Sequence, residues 1–132
     1  LNTFEIGKAN VVTEYESKIV ILNFGALLEE AYSVAKDLQI TLIDMRFVKP
    51  LDEELLKKYL TKADVFVSIE DGSIMGGAGS AVQEFCSREN IEIKSVLFGI
   101  PDTFIEHASR KEMLEEAGLT SKKIKSKIED LL

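Results

Sequence analysis

Cysteine and histidine each occur once in this chain of 132 residues, as Cys86 and His107. One cysteine cannot close an intrachain disulfide, and one thiol with one imidazole makes no zinc-ligand set. Most nucleophile–base pairs would have to run through these two residues. Long apolar runs are also missing: the longest, residues 19–28, is interrupted by Asn23 and Gly25. It falls far short of the roughly 20 residues that cross a bilayer as a helix. Residues 1–10 lack the basic start and apolar stretch of a secretory leader. Positive charge is in deficit, with 16 Lys+Arg against 23 Asp+Glu and a formal net charge of −7. Such a field repels phosphate backbones and anionic lipid, so neither nucleic acid nor a membrane is an expected partner. No internal repeat or low-complexity tract breaks the chain. These absences point to a reducing compartment, the cytoplasm. The first residue is leucine, which points to a processed protein or an excised piece.

What is present suits one domain spanning residues 1–132, with 45% apolar residues to fill a core. Short apolar runs alternate with helical periodicity, the mark of βα units around a parallel sheet. Residues 19–22 form a continuous apolar strand, as expected when both faces are covered. Leu27, Leu28, Ala31, Ala35 and Leu38 then repeat on one helical stripe. A strand at 40–43 follows, and Pro50 separates it from a helix that Asp52 caps, with Glu53 and Glu54 in its first turn. Lys57 and Lys58 stand four residues on, spaced for ion pairs along that helix, and Leu55, Leu56, Tyr59 and Leu60 supply its buried stripe.

Residues 65–69 read as the next strand. The turn Gly76-Gly77-Ala78-Gly79 then opens a helix with Ala81, Val82, Phe85 and Cys86 inward. A strand at 95–98 ends at Gly99 and Pro101. Ser109 and Glu112 make a capping box, with Gly118 as the helix stop. Thr120 caps a last helix carrying Ile124, Ile128 and Leu131 inward and the charged run 122–127 outward. Residues 9–13 are a weaker strand. Right-handed crossovers of this length predict a three-layer α/β/α sandwich.

In open parallel sheets, ligands bind beyond the carboxyl ends of the strands. Two loops qualify here, Asn23-Phe24-Gly25-Ala26 and the stretch from Glu70 to Ser80. Gly76, Gly77, Gly79 and Ser80 could bring backbone N–H groups to an anion at a helix start. However, valine at 82 spoils the G-x-G-x-x-G pattern, and no Lys-Ser/Thr pair completes a P-loop. Tight strand–helix or inter-domain packing is therefore the preferred role of these glycines. Glu70 and Asp71, adjacent on an extended chain, point to opposite faces and cannot grip one ion together. Capping the following loop, or pairing with a base such as Arg46, suits them better. Asp44 and Arg46 share a face and form a candidate structural ion pair. His107 reads as a surface or interface histidine, and Cys86 as an inert core thiol.

Three stretches carry a resemblance. They are Asp44-Met45-Arg46-Phe47-Val48-Lys49-Pro50-Leu51-Asp52, Ile74-Met75-Gly76-Gly77-Ala78-Gly79-Ser80-Ala81-Val82 and Gly99-Ile100-Pro101-Asp102-Thr103-Phe104-Ile105-Glu106-His107. The first resembles the C-terminal domain shared by transketolases and the beta subunits of 2-oxoacid dehydrogenases. The other two, with Leu22-Asn23-Phe24-Gly25, resemble the 1-deoxy-D-xylulose-5-phosphate synthase family. That resemblance implies a five-stranded, mostly parallel mixed sheet whose first strand is antiparallel. It also implies an enzyme that uses thiamine diphosphate and Mg2+ to decarboxylate pyruvate and join two carbons to glyceraldehyde 3-phosphate. Isoprenoid, thiamine and pyridoxal synthesis draw on the product.

In that family the cofactor, metal and sugar-phosphate motifs lie upstream of the region matched here. No catalytic, cofactor-binding or metal residue is therefore expected in this chain. The implied partners are the N-terminal and middle domains and, in the whole protein, a second copy. Ile74, Met75, Phe104, Ile105 and His107 are the candidate docking surface, because loop residues this apolar seldom face water unpartnered. Two other readings remain. One is a free-standing α/β module that binds an anion or nucleotide at residues 76–80. The other is the C-terminal domain of a transketolase or dehydrogenase beta subunit, against which residues 99–107 argue.

Overall fold

A computed structural model describes residues 7–46, 50–70, 77–99 and 120–132. Among these residues five strands and four helices follow in order: β1 (Asn10–Thr13), β2 (Ile19–Phe24), α1 (Leu28–Leu38), β3 (Thr41–Asp44), α2 (Glu53–Leu60), β4 (Val65–Glu70), α3 (Ala78–Arg88), β5 (Lys94–Gly99) and α4 (Ser121–Glu129). The strands form one sheet in the order β1-β3-β2-β4-β5. β3, β2, β4 and β5 are parallel, and β1 runs antiparallel along the edge of β3. This is the mixed sheet implied by the resemblance.

Every residue of β2 is buried, which explains why its sequence is continuous rather than alternating. The side chains still divide by parity. Ile19 and Ile21, with Val65, Val67 and Ile69 of β4, pack against Ala31, Val34 and Ala35 of α1 and Ile124 and Ile128 of α4. Val20, Leu22, Phe24 and Phe66 pack on the other face, against Leu56 and Leu60 of α2 and Val82, Phe85 and Cys86 of α3. Two cores therefore sandwich one sheet.

Order along the sheet matters for function. From β2 the chain moves through α1 to β3 on one side, then returns through α2 on the opposite face to β4 on the other side. The strand order thus reverses around β2, and the helices that follow β2 and β4, α1 and α3, lie on opposite faces of the sheet. In open parallel sheets such a switch point is where ligands bind, beyond the carboxyl ends of the strands. Asn23 and Phe24 close β2 at that end, and Glu70 closes β4.

Asp52 does two jobs. Its Oδ1 accepts from Leu55 N at 3.2 Å, the N-cap expected of it, and its Oδ2 accepts from Ala9 N at 2.9 Å. The second bond ties the approach to β1 onto α2. Asp52→Ala should lower the unfolding free energy by about 2 kcal/mol, adding about 1 for the lost cap to about 1 for the orphaned Ala9 N–H. Asp52→Asn should recover part of that. Urea titration of the three proteins checks both figures.

Thr13 repairs an irregularity in the β1–β3 ladder, whose register shifts between Val11 and Thr13. Its hydroxyl donates to Ile40 O at 2.7 Å and accepts from Leu42 N at 3.0 Å. A side chain thus fills the place of two backbone partners.

Four expectations need correction. The ion pairs of α2 run to α3 and its cap: Glu53 meets Arg88 at 2.7 Å and Lys57 meets Glu89 at 3.6 Å. The intrahelical partners expected for Glu53 and Lys57 lose to residues that the packing of two helices brings closer, and Lys58 Nζ lies 5.5 Å from the centre of the Tyr59 ring on its own helix. Leu131 is 39% exposed, because α4 stops at Glu129 and the helical stripe stops with it. Ala78 and Gly79 lie in the first turn of α3 rather than in the turn before it, and Ala81 is only half-buried. Asn23 and Phe24 belong to β2 rather than to a loop. Thr120 does cap α4, accepting from Lys123 N at 3.3 Å. The capping box at 109–112 and Gly118 lie outside the described residues.

Candidate functional site

The described residues at the carboxyl end of the sheet are held mainly by one another. Asn23, the penultimate residue of β2, is fully buried. Its Nδ2 donates to Gly25 O at 3.2 Å and Asp44 Oδ1 at 3.4 Å, and its backbone carbonyl accepts from Met45 N at 2.9 Å. Asn23 Oδ1 has no hydrogen-bond partner among the described residues. Asp44 Oδ2 lies 3.8 Å from Arg46 Nε, both side chains being largely covered. That is a long, single-point contact. Arg46 itself holds a left-handed backbone, φ +61°, an uncommon conformation for a residue with a Cβ.

Beside Phe24 in the ladder, Glu70 ends β4, and its Oε2 accepts from Ala78 N at 2.9 Å. This carboxylate sits where the positive end of α3 would attract an anion. A phosphate would have to compete with it. Gly77 stands at the N-cap of α3 with φ +79°, a conformation that glycine adopts without a Cβ clash.

Gly79 answers a different need. A Cβ built there would come within 2.6 Å of both Ser68 Oγ on β4 and Leu97 Cδ2 on β5. The missing side chain lets α3 lie directly on the sheet, and Ser68 Oγ beneath it is buried without a hydrogen-bond partner among the described residues. Ser80 is exposed. The geometry at Gly79 therefore favours close packing over phosphate binding. Asp71, Ile74, Met75, Gly76, Phe104, Ile105 and His107 lie outside the described residues.

Sequence reasoning assigned no role to the amide of Asn23. The signal was a polar residue inside an otherwise apolar strand, which is tolerated only where its hydrogen bonds are met locally.

Concave regions lie elsewhere. A cleft of about 580 Å³ at the amino end of the sheet is lined by Glu14, Tyr15, Lys18, Thr41, Tyr59 and Lys62, among others. The Tyr59 hydroxyl donates to Glu14 Oε2 at 2.7 Å. That bond, followed by burial and the Glu14 charge, pushes the phenol up to about 12. None of the residues expected at a site lines this cleft.

Cys86 is buried on the inner face of α3, and burial raises its thiol above the ordinary range. A buried thiol held protonated is a poor nucleophile. Cys86 should therefore react with an aromatic disulfide reagent only as the protein opens. Its rate in native buffer is expected to be at least 100-fold below that in denaturant, which absorbance at the released thiolate reads directly.

For cofactor chemistry the donor set decides. Among the described residues no three His, Cys, Asp or Glu side chains gather around a point where one ion could sit. These residues do not fit a magnesium–diphosphate site. Among them, no helix is long and apolar enough to cross a membrane.

Comparison with known proteins places this geometry. The family described as "Transketolase, C-terminal domain" matches residues 7–124. The 1-deoxy-D-xylulose-5-phosphate synthase of Pseudomonas fluorescens (strain Pf0-1) is 47% identical over 133 residues, covering 100% of this chain and 21% of that protein. The protein of the same name from Blochmanniella floridana is 51% identical over 110 residues, covering 83% and 18%. The chain thus spans about a fifth of the length of these relatives. Among solved structures, a split gene transketolase, described as an inactive beta4 tetramer, superposes with a TM-score of 0.81 at 30% identity. It covers 96% of this chain and 43% of that one. With the sheet order, the superposition and the family match over residues 7–124 in agreement, the chain belongs to the transketolase C-terminal domain family.

Proposed function

We propose that this chain serves as the C-terminal assembly domain of a thiamine diphosphate-dependent synthase. The enzyme would condense pyruvate with glyceraldehyde 3-phosphate, releasing CO2, to give 1-deoxy-D-xylulose 5-phosphate. The observation that carries this reading is the full-length match, at 47% identity, to about one fifth of a synthase of that name. The geometry adds a physical reason. At the carboxyl end of the sheet, Asn23, Asp44 and Glu70 spend hydrogen-bonding capacity on the fold itself. The reacting groups, thiamine diphosphate and Mg2+ belong to the rest of the enzyme in this reading. The domain's work is to dock against that body and, across a homodimer, its copy. The protein works in the cytoplasm, apart from membranes and nucleic acid, as its acidic charge suits.

Ile74, Met75, Phe104, Ile105 and His107 are proposed as the docking residues on their sequence character alone. Glu70 at the end of β4, Gly77, Gly79 and Ser80 at the start of α3, and Asp71 and Gly76 between them in sequence are proposed as an inter-domain contact stretch, and the Asp44–Arg46 pair braces the end of β3.

A chimera tests the reading. The matching fifth of the P. fluorescens synthase is replaced by this chain, and CO2 release from pyruvate is followed with glyceraldehyde 3-phosphate present. Activity within about tenfold of the parent is expected, together with none from the 132-residue chain alone. A folded, dimeric chimera without turnover would overturn the proposal, as would turnover by the isolated chain.

A further inference from the structure

We draw no further inference here: the strongest candidate, the outer edge of β5 with Leu97 46% exposed at the rim of the sheet, carries nothing because nothing in the structure shows what covers it.

Discussion

Gly79→Val should lower the unfolding free energy by about 3 kcal/mol, the upper part of the usual range for forcing bulk into a packed interior. Helix propensity alone gives the opposite sign for a modest change, because alanine in place of glycine stabilises a helix interior by roughly 0.5–1 kcal/mol. Here contact overrides propensity. The first added carbon meets Ser68 Oγ and Leu97 Cδ2, each at 2.6 Å. Leu97 is half-exposed and can swing outward, whereas Ser68 sits on a central strand with nowhere to go. The branched methyls of valine add crowding that no rotation relieves, and α3 must lift from β4.

Gly79→Ala is expected to cost much less, and Ser68→Ala should erase most of that cost by removing the clashing hydroxyl. Ser68→Ala alone should be neutral or slightly stabilising, since its hydroxyl is buried without a partner among the described residues. Urea unfolding of the two singles and the double mutant gives the coupling directly. Additive effects of Gly79→Ala and Ser68→Ala would show that the contact does not set the spacing.

Phe66→Ala should be still more damaging, at about 3–5 kcal/mol, the range for deleting a buried aromatic ring. Phe66 is 1% exposed on β4 and joins the cluster that includes Val82, Phe85 and Cys86. The ring lies under α3, so its loss leaves a void between helix and sheet that neither can readily close. A domain of this size has roughly 5–15 kcal/mol in total. The variant should therefore melt well below the parent and expose Cys86 to thiol reagents at ordinary temperature. Phe66→Leu, which keeps most of the volume, is expected to cost about 1 kcal/mol. A Phe66→Ala protein that melts within a few degrees of the parent would mean the second core is not what holds α3.

Much of this architecture was legible because its signals are local. The apolar runs that became β2 and β4 needed no partner information, since strands covered on both faces are apolar throughout. Asp52 and Thr120 were readable as caps, because a cap is decided by its own side chain and the next three residues. What failed depends on distant packing. The partners of Glu53 and Lys57 lie on α3 and at its cap, 35 and 32 positions away, where no spacing rule on one helix can find them. Leu131 fits a helical stripe on paper, yet the helix has ended before it.

The candidate site shows the same division. Glu70 was readable as a cap for the loop beyond β4, and its carboxylate meets Ala78 N. For Gly79, sequence alone preferred close packing, strand–helix or inter-domain, to phosphate binding, on the failed motif and not on any contact. Only the positions of Ser68 and Leu97, on two separate strands, tell them apart. Asn23 was read as a loop residue because a buried amide in a strand is hard to distinguish from a strand end when its acceptors, Gly25 O and Asp44 Oδ1, are unknown.

β1 finally has a bearing on how the domain behaves when cut free. The exposed rim of any β-sheet invites other chains to add to it. Here a short reversed strand, stitched down by the Thr13 hydroxyl and by Asp52, acts as a hem along β3. A version trimmed to begin after Thr13 would fray at that margin, and clumping in concentrated solution should be its first symptom, ahead of any loss of helix.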